Sequence, residues 1–479
     1  MNRKRVMLIV PPHAGRAVWE FPLGVGYLAN QLEEVGFHVS ILDINGLQLD
    51  QHQVAERLRI ASSDYKLYGI SAFSTQFGYA VWLIDLLKQI DQKNFVALGG
   101  PLSTHHPELC LKYTRADIAC AGEADQTIGS VFANPWESWN IRGVVWRNGE
   151  EIVVNEPPEP FDLDELKFHP YHLFPEEVYF KRLGKGVNIA TTRGCPFQCN
   201  FCSKTVTQPR KRSIQHIEAE LIHLKKNYGL RGVQLSDELA VTNSERGYEL
   251  CEMLARLKLN WGCQVRVDLV DRALLKHMKA CGCNSLGAGV ESGSQRILDA
   301  MNKKTTVEQN LTFMLNCQAV GILPWVQFIF GYPGEDEQSI RQSIALFKQA
   351  NYSPPRPDFT GKYIMSSVAT PLPGSRLYDD LVRRGLIDNE LNYLKRIERG
   401  YYIIKPEDVI YNLTGWDDKE MMARKRSMET EIWQNWRQRA NNPLRRIGRA
   451  IRAFPRGISR VRETVRWQPD RPVVPEEIF

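Results

Sequence analysis

Three cysteines fall within eight residues, in the run Thr191-Thr192-Arg193-Gly194-Cys195-Pro196-Phe197-Gln198-Cys199-Asn200-Phe201-Cys202. Thiolates at this CxxxCxxC spacing can each hold one iron of a four-iron cluster, and such clusters normally take four cysteines. A trio leaves one iron open to an external ligand. The competing reading is a structural zinc site, which wants a fourth Cys or His; His169, His172 and His216 are available for it. The other seven cysteines (Cys110, Cys120, Cys251, Cys263, Cys281, Cys283 and Cys317) sit in apolar or helical contexts, where cysteine behaves as a small hydrophobe. Cys281 and Cys283 are close enough in sequence to share a metal.

The elements that must position the trio read as two alternating series. In the first 145 residues, short apolar runs at Arg5–Val10, Val39–Asp43, Leu67–Phe73, Phe95–Leu98 and Asp117–Cys120 predict buried strands. Leu23–Val35 and Phe77–Ile90 carry apolar residues at helical spacing. Strands alternating with helices argue for a parallel sheet covered on both faces, with ligands bound beyond the carboxyl ends of the strands. Those ends carry Pro11-Pro12, Ser74-Thr75, Gly99-Gly100-Pro101 and Gly122-Glu123. Gly143–Asn155 reads as a hairpin turning at Asn148-Gly149, and the proline-rich stretch Glu156–Pro175 as a linker.

A second series starts near Val187, immediately before the cysteine trio. Its strand candidates are Gly232–Leu235, Gln264–Val267, Ser285–Val290, Val326–Phe330 and Asp358–Ile364, with helix patterns between most of them. That count predicts a closed or partly closed barrel. The expected division is residues 1–145, a hairpin and linker over 146–186, a barrel over 187–395 and a helical, basic C-terminal region over 396–479. Composition agrees with a soluble chain: 43% hydrophobic and 24% charged residues support several buried cores. Ten cysteines in 479 residues are too sparse for a disulfide framework. No run approaches the roughly 20 apolar residues that span a bilayer. The apolar run Val6–Val10 is too short for a secretory leader, so a cytoplasmic protein is expected.

On the cysteine run, its place after a strand and the aromatic Phe201 before the third cysteine, the chain resembles the radical S-adenosylmethionine superfamily. Three further segments resemble that superfamily's cobalamin-binding branch: Gly289-Val290-Glu291-Ser292-Gly293-Ser294 followed by Ile297-Leu298-Asp299-Ala300-Met301-Asn302-Lys303, as a turn and helix after its fourth strand, then Phe330-Gly331-Tyr332-Pro333-Gly334-Glu335 and Pro371-Leu372-Pro373-Gly374-Ser375. The resemblance implies a 4Fe-4S cluster on Cys195, Cys199 and Cys202, with S-adenosyl-L-methionine on the open iron. Phe201 would lie near the adenine and Glu291 near the ribose or amino group. Ser292 belongs to the same turn, and Arg266 with the Asp237-Glu238 pair stands at strand ends facing the expected cavity. For Arg266, Asp237 and Glu238, structural ion pairing is an equal reading.

The N-terminal series is similar to the cobalamin-binding domains of this branch. The resemblance rests on Pro12 in the first loop, Leu23-Gly24 at a helix start, Ser74 and Thr75, Gly99-Gly100-Pro101, and Gly122-Glu123. Many cobalamin proteins carry Asp-x-His-x-x-Gly after the first strand. Here the run is Pro11-Pro12-His13-Ala14-Gly15-Arg16, without the orienting carboxylate or the final glycine, so cobalamin without a protein ligand is expected rather than His13 on cobalt.

What the resemblance implies overall is a Rossmann-like cobalamin domain, a partial (β/α)6 TIM-type barrel and a C-terminal helical region. The expected enzyme methylates an unactivated carbon by way of methylcobalamin and a 5'-deoxyadenosyl radical. Radical cyclisation, oxidation or rearrangement with the same cofactors is the first alternative, and a non-enzymatic cobalamin or redox sensor the second. The substrate is expected to be a small or lipid-like molecule, and the electron donor a flavodoxin- or ferredoxin-like protein.

Between Met421 and Arg471 fourteen Lys/Arg face four Asp/Glu. Arg445, Arg446, Arg449, Arg452, Arg456, Arg460 and Arg462 alternate with apolar residues, which suits peripheral contact with an anionic membrane. The alternative is a solvated helix. Nucleic acid is disfavoured: the tRNA-modifying methylthiotransferases that share this cysteine core carry a second cysteine trio, which is missing here.

Overall fold

The computed structural model describes residues 4–13, 20–182, 186–206, 208–352, 365–398 and 405–440. Met1–Trp433 clusters as one unit and Gln434–Phe479 as a second. Among the described residues, no helix is long and apolar enough to cross a membrane.

The first sheet contains β1 (Arg5–Val10), β2 (His38–Asp43), β3 (Leu67–Ser71), β4 (Phe95–Gly99), β5 (Ile118–Cys120), β6 (Val144–Asn148) and β7 (Glu151–Val154), in the order β2-β1-β3-β4-β5-β6-β7. Strands β1 to β5 are parallel. Burial on both faces explains their continuous apolar runs: Met7 and Ile9 point into one core with Ile84 and Leu98, while Val6 and Leu8 pack with Leu32 and Phe132 on the other. The chain leaves β1 first toward β2 and then returns to β3 on its other side, so the topological switch lies between β1 and β3. The hairpin read together with the linker pairs antiparallel to β5 through Val144 and Val145, so it extends the N-terminal sheet. Its buried Val144 and Val145 belong to the two cores of that sheet, which is why it docks there.

The second half contains β8 (Gly186–Ile189), the short antiparallel ribbon of β9 (Thr192–Arg193) and β10 (Arg210–Lys211), then β11 (Gly232–Leu235), β12 (Asn260–Val265), β13 (Cys283–Glu291), β14 (Leu323–Phe330) and β15 (Met365–Val368). Six of these form a parallel sheet in the order β15-β14-β13-β12-β11-β8, an open half-barrel. The strand expected at Gln264–Val267 begins earlier, at Asn260. Trp261 and Cys263 are buried on either side of Gly262, and Arg266 has already turned out of the ladder, accepting from Leu269 N at 3.0 Å. The strand expected at Asp358–Ile364 lies outside the described residues; the sixth strand observed is Met365–Val368.

Helices cover the barrel's outer face, started by side-chain caps. Ser213 caps Ile214–Tyr228, Asn243 caps Ser244–Arg256 and Asp271 caps Arg272–Ala280. The segment Arg376–Ile397 departs from a simple barrel. Tyr378, Leu381, Tyr393, Leu394 and Ile397 bury themselves in a core of the N-terminal sheet. Glu398 then accepts from Gly78 N at 3.2 Å and Tyr79 N at 2.9 Å, at the start of the helix Phe77–Ile90. Met421, Met422 and Met428 of the helix Asp418–Ala440 pack in the barrel core with Phe328 and Phe330. The arginine-rich segment 445–462 lies outside the described residues.

Candidate functional site

The cysteine loop hangs from β8 and is braced on both sides. Asp237, just beyond β11, is buried and accepts from Thr191 N at 2.6 Å, Thr191 Oγ1 at 2.6 Å and Thr192 N at 2.8 Å. Burial pushes its carboxyl up to about 6 even against these hydrogen bonds. Glu238 accepts from Gly194 N at 3.2 Å. Gly194 has φ +82°, and a Cβ there would press on Val206 and the Gln208 carbonyl, so the turn into the loop requires glycine. Both carboxylates therefore shape the loop, and the oxygens of Asp237 are committed to Thr191 and Thr192 rather than presented to a ligand.

All three thiols of the loop are reduced and partly exposed. Burial pushes the Cys202 thiol up to about 11, with Cys199 and Cys195 adding to the rise and Lys204 and Lys303 opposing it. Lys204 Nζ donates to Cys195 O at 3.2 Å and also to Phe197 O. Arg266 stacks over the Phe197 ring at 3.9 Å, with Nη1 4.0 Å from Cys199 Sγ. The zinc alternative loses two of its ligands. His169 is buried among Phe21, Tyr27, Tyr171 and Phe174, and His216 Nδ1 accepts from Arg212 Nε at 3.0 Å.

Beyond the loop lie the ends of β12 and β13. Glu291 stands at φ +60°, where the β13–β14 register shifts, and its Oε1 accepts from Lys303 Nζ at 2.9 Å. Lys303 Nζ is 5.7 Å from the Phe201 ring centre, and its carbonyl accepts from Arg266 Nη2. Arg266 is also paired with Asp268 at 2.8 Å. Ser292 is buried in the turn, where its Oγ accepts from Ser294 N at 3.1 Å. The Phe201 side chain packs against the cluster of Ile297, Met301, Tyr332 and Leu377. One constellation thus joins Cys199, Phe201, Arg266 and Glu291 through Lys303, which ends the helix segment that carries the resemblance but has no role assigned by it.

The N-terminal residues collect at the carboxyl edge of the first sheet. Pro12 and His13 follow β1, Ser74 and Thr75 lie in a short turn of helix after β3, and Gly99, Gly100 and Pro101 end β4. Gly100 has φ +89°, and a Cβ would meet Ala72 O at 2.7 Å. Gln76 joins the first two loops: Nε2 donates to Pro11 O at 3.1 Å and Pro12 O at 3.0 Å, while Oε1 accepts from Phe73 N at 2.8 Å. The His13 ring lies 5.2 Å from that of Phe73, which is 47% exposed at this edge. Gly24 is exposed near the start of its helix, with open space where a Cβ would project. Gly122 N donates to Thr104 Oγ1 at 3.0 Å.

Glu123 serves a different purpose. Its carboxylate pairs with Arg193 at 2.7 Å and with Arg210, while Asp125 takes the other side of Arg193 at 2.8 and 3.0 Å. These arginines belong to the ribbon β9/β10 at the root of the cysteine loop. Nearby, His105 Nε2 lies 3.0 Å from Lys204 O, and its ring packs where a side chain at Gly374 would collide. The loop after β5 and the helix after β4 are therefore clamped directly onto the cysteine loop. Arg193, Arg210 and Asp125 were not anticipated as site residues. Arg193 stands inside the cysteine run and Asp125 two residues beyond Glu123, but only the fold shows that they meet.

These residues fit the two kinds of group considered. Three free, partly exposed cysteines on one loop, with His169 and His216 engaged elsewhere, suit an iron–sulfur cluster. A glycine- and proline-lined edge at a topological switch suits a large planar or nucleotide-bearing cofactor. The fold is thus a half-barrel that carries a three-cysteine loop, joined to a nucleotide-type parallel sheet.

Comparison with known proteins agrees. Residues 189–347 match the Radical SAM superfamily model, and residues 17–132 match the B12 binding domain model. An uncharacterized methyltransferase of Pyrococcus horikoshii is 27% identical over 403 residues, 81% of this chain and 85% of the relative. The anaerobic magnesium-protoporphyrin IX monomethyl ester cyclase of Rubrivivax gelatinosus is 27% identical over 399 residues, 79% of this chain and 70% of the relative. In three dimensions the chain resembles the radical S-adenosylmethionine methyltransferase TsrM of Kitasatospora setae, with TM-score 0.65, 17% identity and coverage of 80% of this chain and 76% of TsrM. It also resembles the cobalamin-dependent radical enzyme OxsB, with TM-score 0.62 and 18% identity; 82% of this chain is covered, but only 56% of OxsB. At these identities the structural likeness establishes the fold. The chain belongs to the radical S-adenosylmethionine superfamily, in the branch that joins the barrel to a B12 binding domain. Its cofactors are a 4Fe-4S cluster, S-adenosylmethionine and cobalamin.

Proposed function

We propose that the protein transfers a methyl group from S-adenosylmethionine to an unactivated carbon of a small molecule. The observation that carries this reading is the clamp of Arg193 and Arg210 on Glu123 and Asp125, which ties the cysteine loop to the cobalamin-type edge of the first sheet. When bound, the cluster supplies an electron, S-adenosylmethionine a hydrogen-abstracting radical and a methyl group, and cobalamin a carrier for that methyl group.

The chain's own residues do the positioning. Cys195, Cys199 and Cys202 would hold the cluster. The backbone at Phe201, the Glu291–Lys303 pair, Ser292 and Arg266 would seat the S-adenosylmethionine. Pro12, Gly24, Ser74, Thr75, the Gly99-Gly100-Pro101 turn and Gly122 would line the cobalamin. Asp237 and Glu238 hold the loop in shape, and the substrate would enter between the two edges. A flavodoxin- or ferredoxin-class protein would deliver electrons. The arginine-rich segment 445–462 carries a further proposal, that the enzyme meets an anionic membrane surface; co-sedimentation with anionic but not neutral vesicles tests it.

The likeness to the Rubrivivax cyclase favours a second reading, ring closure with the same cofactors. Reduced holoenzyme given methyl-labelled S-adenosylmethionine separates the two. Methyl transfer yields S-adenosylhomocysteine; formation of 5'-deoxyadenosine with no S-adenosylhomocysteine would contradict it and leave the cyclisation reading.

A further inference from the structure

Cys251, His277 and Cys281 lie far from the cluster loop, yet their ligating atoms all fall within 4.8 Å of one another. Cys251 is wholly buried on the helix Ser244–Arg256. His277 and Cys281 come from the C-terminal end of the helix Arg272–Ala280 and the residue that follows it. The backbone sets the second helix end: Cys281 N donates to His277 O at 2.9 Å, so both side chains rise from one turn. The His277 ring packs on Tyr248 with centres 5.0 Å apart, and its Nε2 lies 3.7 Å from Cys281 Sγ. Tetrahedral zinc, with Zn–S near 2.3 Å and Zn–N near 2.0 Å, sets adjacent sulfur and nitrogen about 3.6 Å apart.

We propose that Cys251, His277 and Cys281 form a second metal site, for a single thiophilic divalent cation of the zinc class, separate from the iron–sulfur cluster. Two thiolates and a neutral imidazole around a divalent cation carry no net charge, which suits a site with one wholly buried ligand. His277 and Cys281 are partly exposed, so solvent reaches the fourth position. The site stands at the amino end of β13, whereas Glu291 and the cluster loop stand at its carboxyl end. Nine strand residues separate these ends by about 26 Å, too far for the two sites to exchange ligands. It pins the helix Ser244–Arg256 to the next helix and to the foot of the barrel, a structural role.

The test is zinc and iron per chain in anaerobically reconstituted holoenzyme, offered zinc and then dialysed exhaustively. The expected result is about one zinc in the unmodified protein and less than about a fifth of that in Cys281→Ser and His277→Gln, with iron staying near four in all three. X-ray absorption at the zinc edge of the unmodified protein keeps the proposal testable if a variant fails to fold: two sulfur and at least one nitrogen neighbour support it. Three outcomes overturn it: no retained zinc in the unmodified protein, equal zinc in the variants, or a Cys251–Cys281 disulfide as the state the protein holds.

Discussion

At the scale of single residues, several side chains shape the cysteine loop without touching the chemistry. Asp237 satisfies three donors of Thr191 and Thr192 from a buried position, so Asp237→Ala strands buried N–H groups at a cost of about 2–3 kcal/mol and disorders the root of the loop. Asp237→Asn keeps the shape and can keep all three hydrogen bonds, with its amide donating to Thr191 Oγ1. Reconstituted iron should fall at least about fivefold in the alanine variant and stay near four per chain in the asparagine variant. Equal iron in both would remove Asp237 from the account. A pH effect follows from the same burial. Burial raises Glu335 from its ordinary 4.5 to about 7, and Asp237 from 3.8 to about 6. The folded state therefore binds protons that the unfolded chain has released. Both groups contribute stability that is fully present below about pH 4 and is lost as pH rises through 6 to 7. Urea unfolding should show stability falling from pH 5 to 7.5, with Glu335→Gln flattening the upper part of that slope. A slope unchanged in the variant would refute the assignment.

At the scale of elements, the central device is the ribbon of β9 and β10 locked to the loop after β5. Arg193 is largely buried between Glu123 and Asp125, so Arg193→Met leaves Asp125 as an unpaired buried carboxylate, a loss of about 3–5 kcal/mol. The thermal midpoint should drop by several degrees, and cobalamin should be lost more readily on gel filtration. A variant indistinguishable from the parent in both measurements would show that the clamp is ornamental. The alternating apolar runs of β1 to β5 were legible because burial on two faces leaves a continuous signature. The cysteine spacing was legible because ligation demands it. Trp261 and Cys263 around Gly262 hid the start of β12, since a mixed run has no clean period. A carboxylate at a strand end, such as Glu123, looks the same in sequence whether it meets a cofactor or Arg193. The roles of Lys303 and Gln76 do not show in sequence for a related reason: each acts through partners distant in the chain. The pairing of Cys251 with His277 and Cys281 depends likewise on two helices packing side by side.

At the scale of the whole molecule, two sheets present their carboxyl edges to the same junction, and segments from late in the chain tie them together. The helices Arg376–Arg383 and Glu390–Ile397 bury their apolar faces in the N-terminal core, and Glu398 meets the start of Phe77–Ile90. The segment that follows the barrel's last strand thus belongs to a core of the first sheet, which ties together the two edges proposed to hold the cofactors. The proposed chemistry needs one chain to hold both a cluster on Cys195, Cys199 and Cys202 and a cobalamin on the first sheet. Iron, sulfide and cobalt per chain after anaerobic production with cobalamin supplied, compared with a Cys195/Cys199/Cys202→Ala variant, test this directly. About four irons and one cobalt per chain are expected, with the variant losing the iron and keeping the cobalt. Four irons without cobalt, or iron that survives loss of the three cysteines, would contradict it.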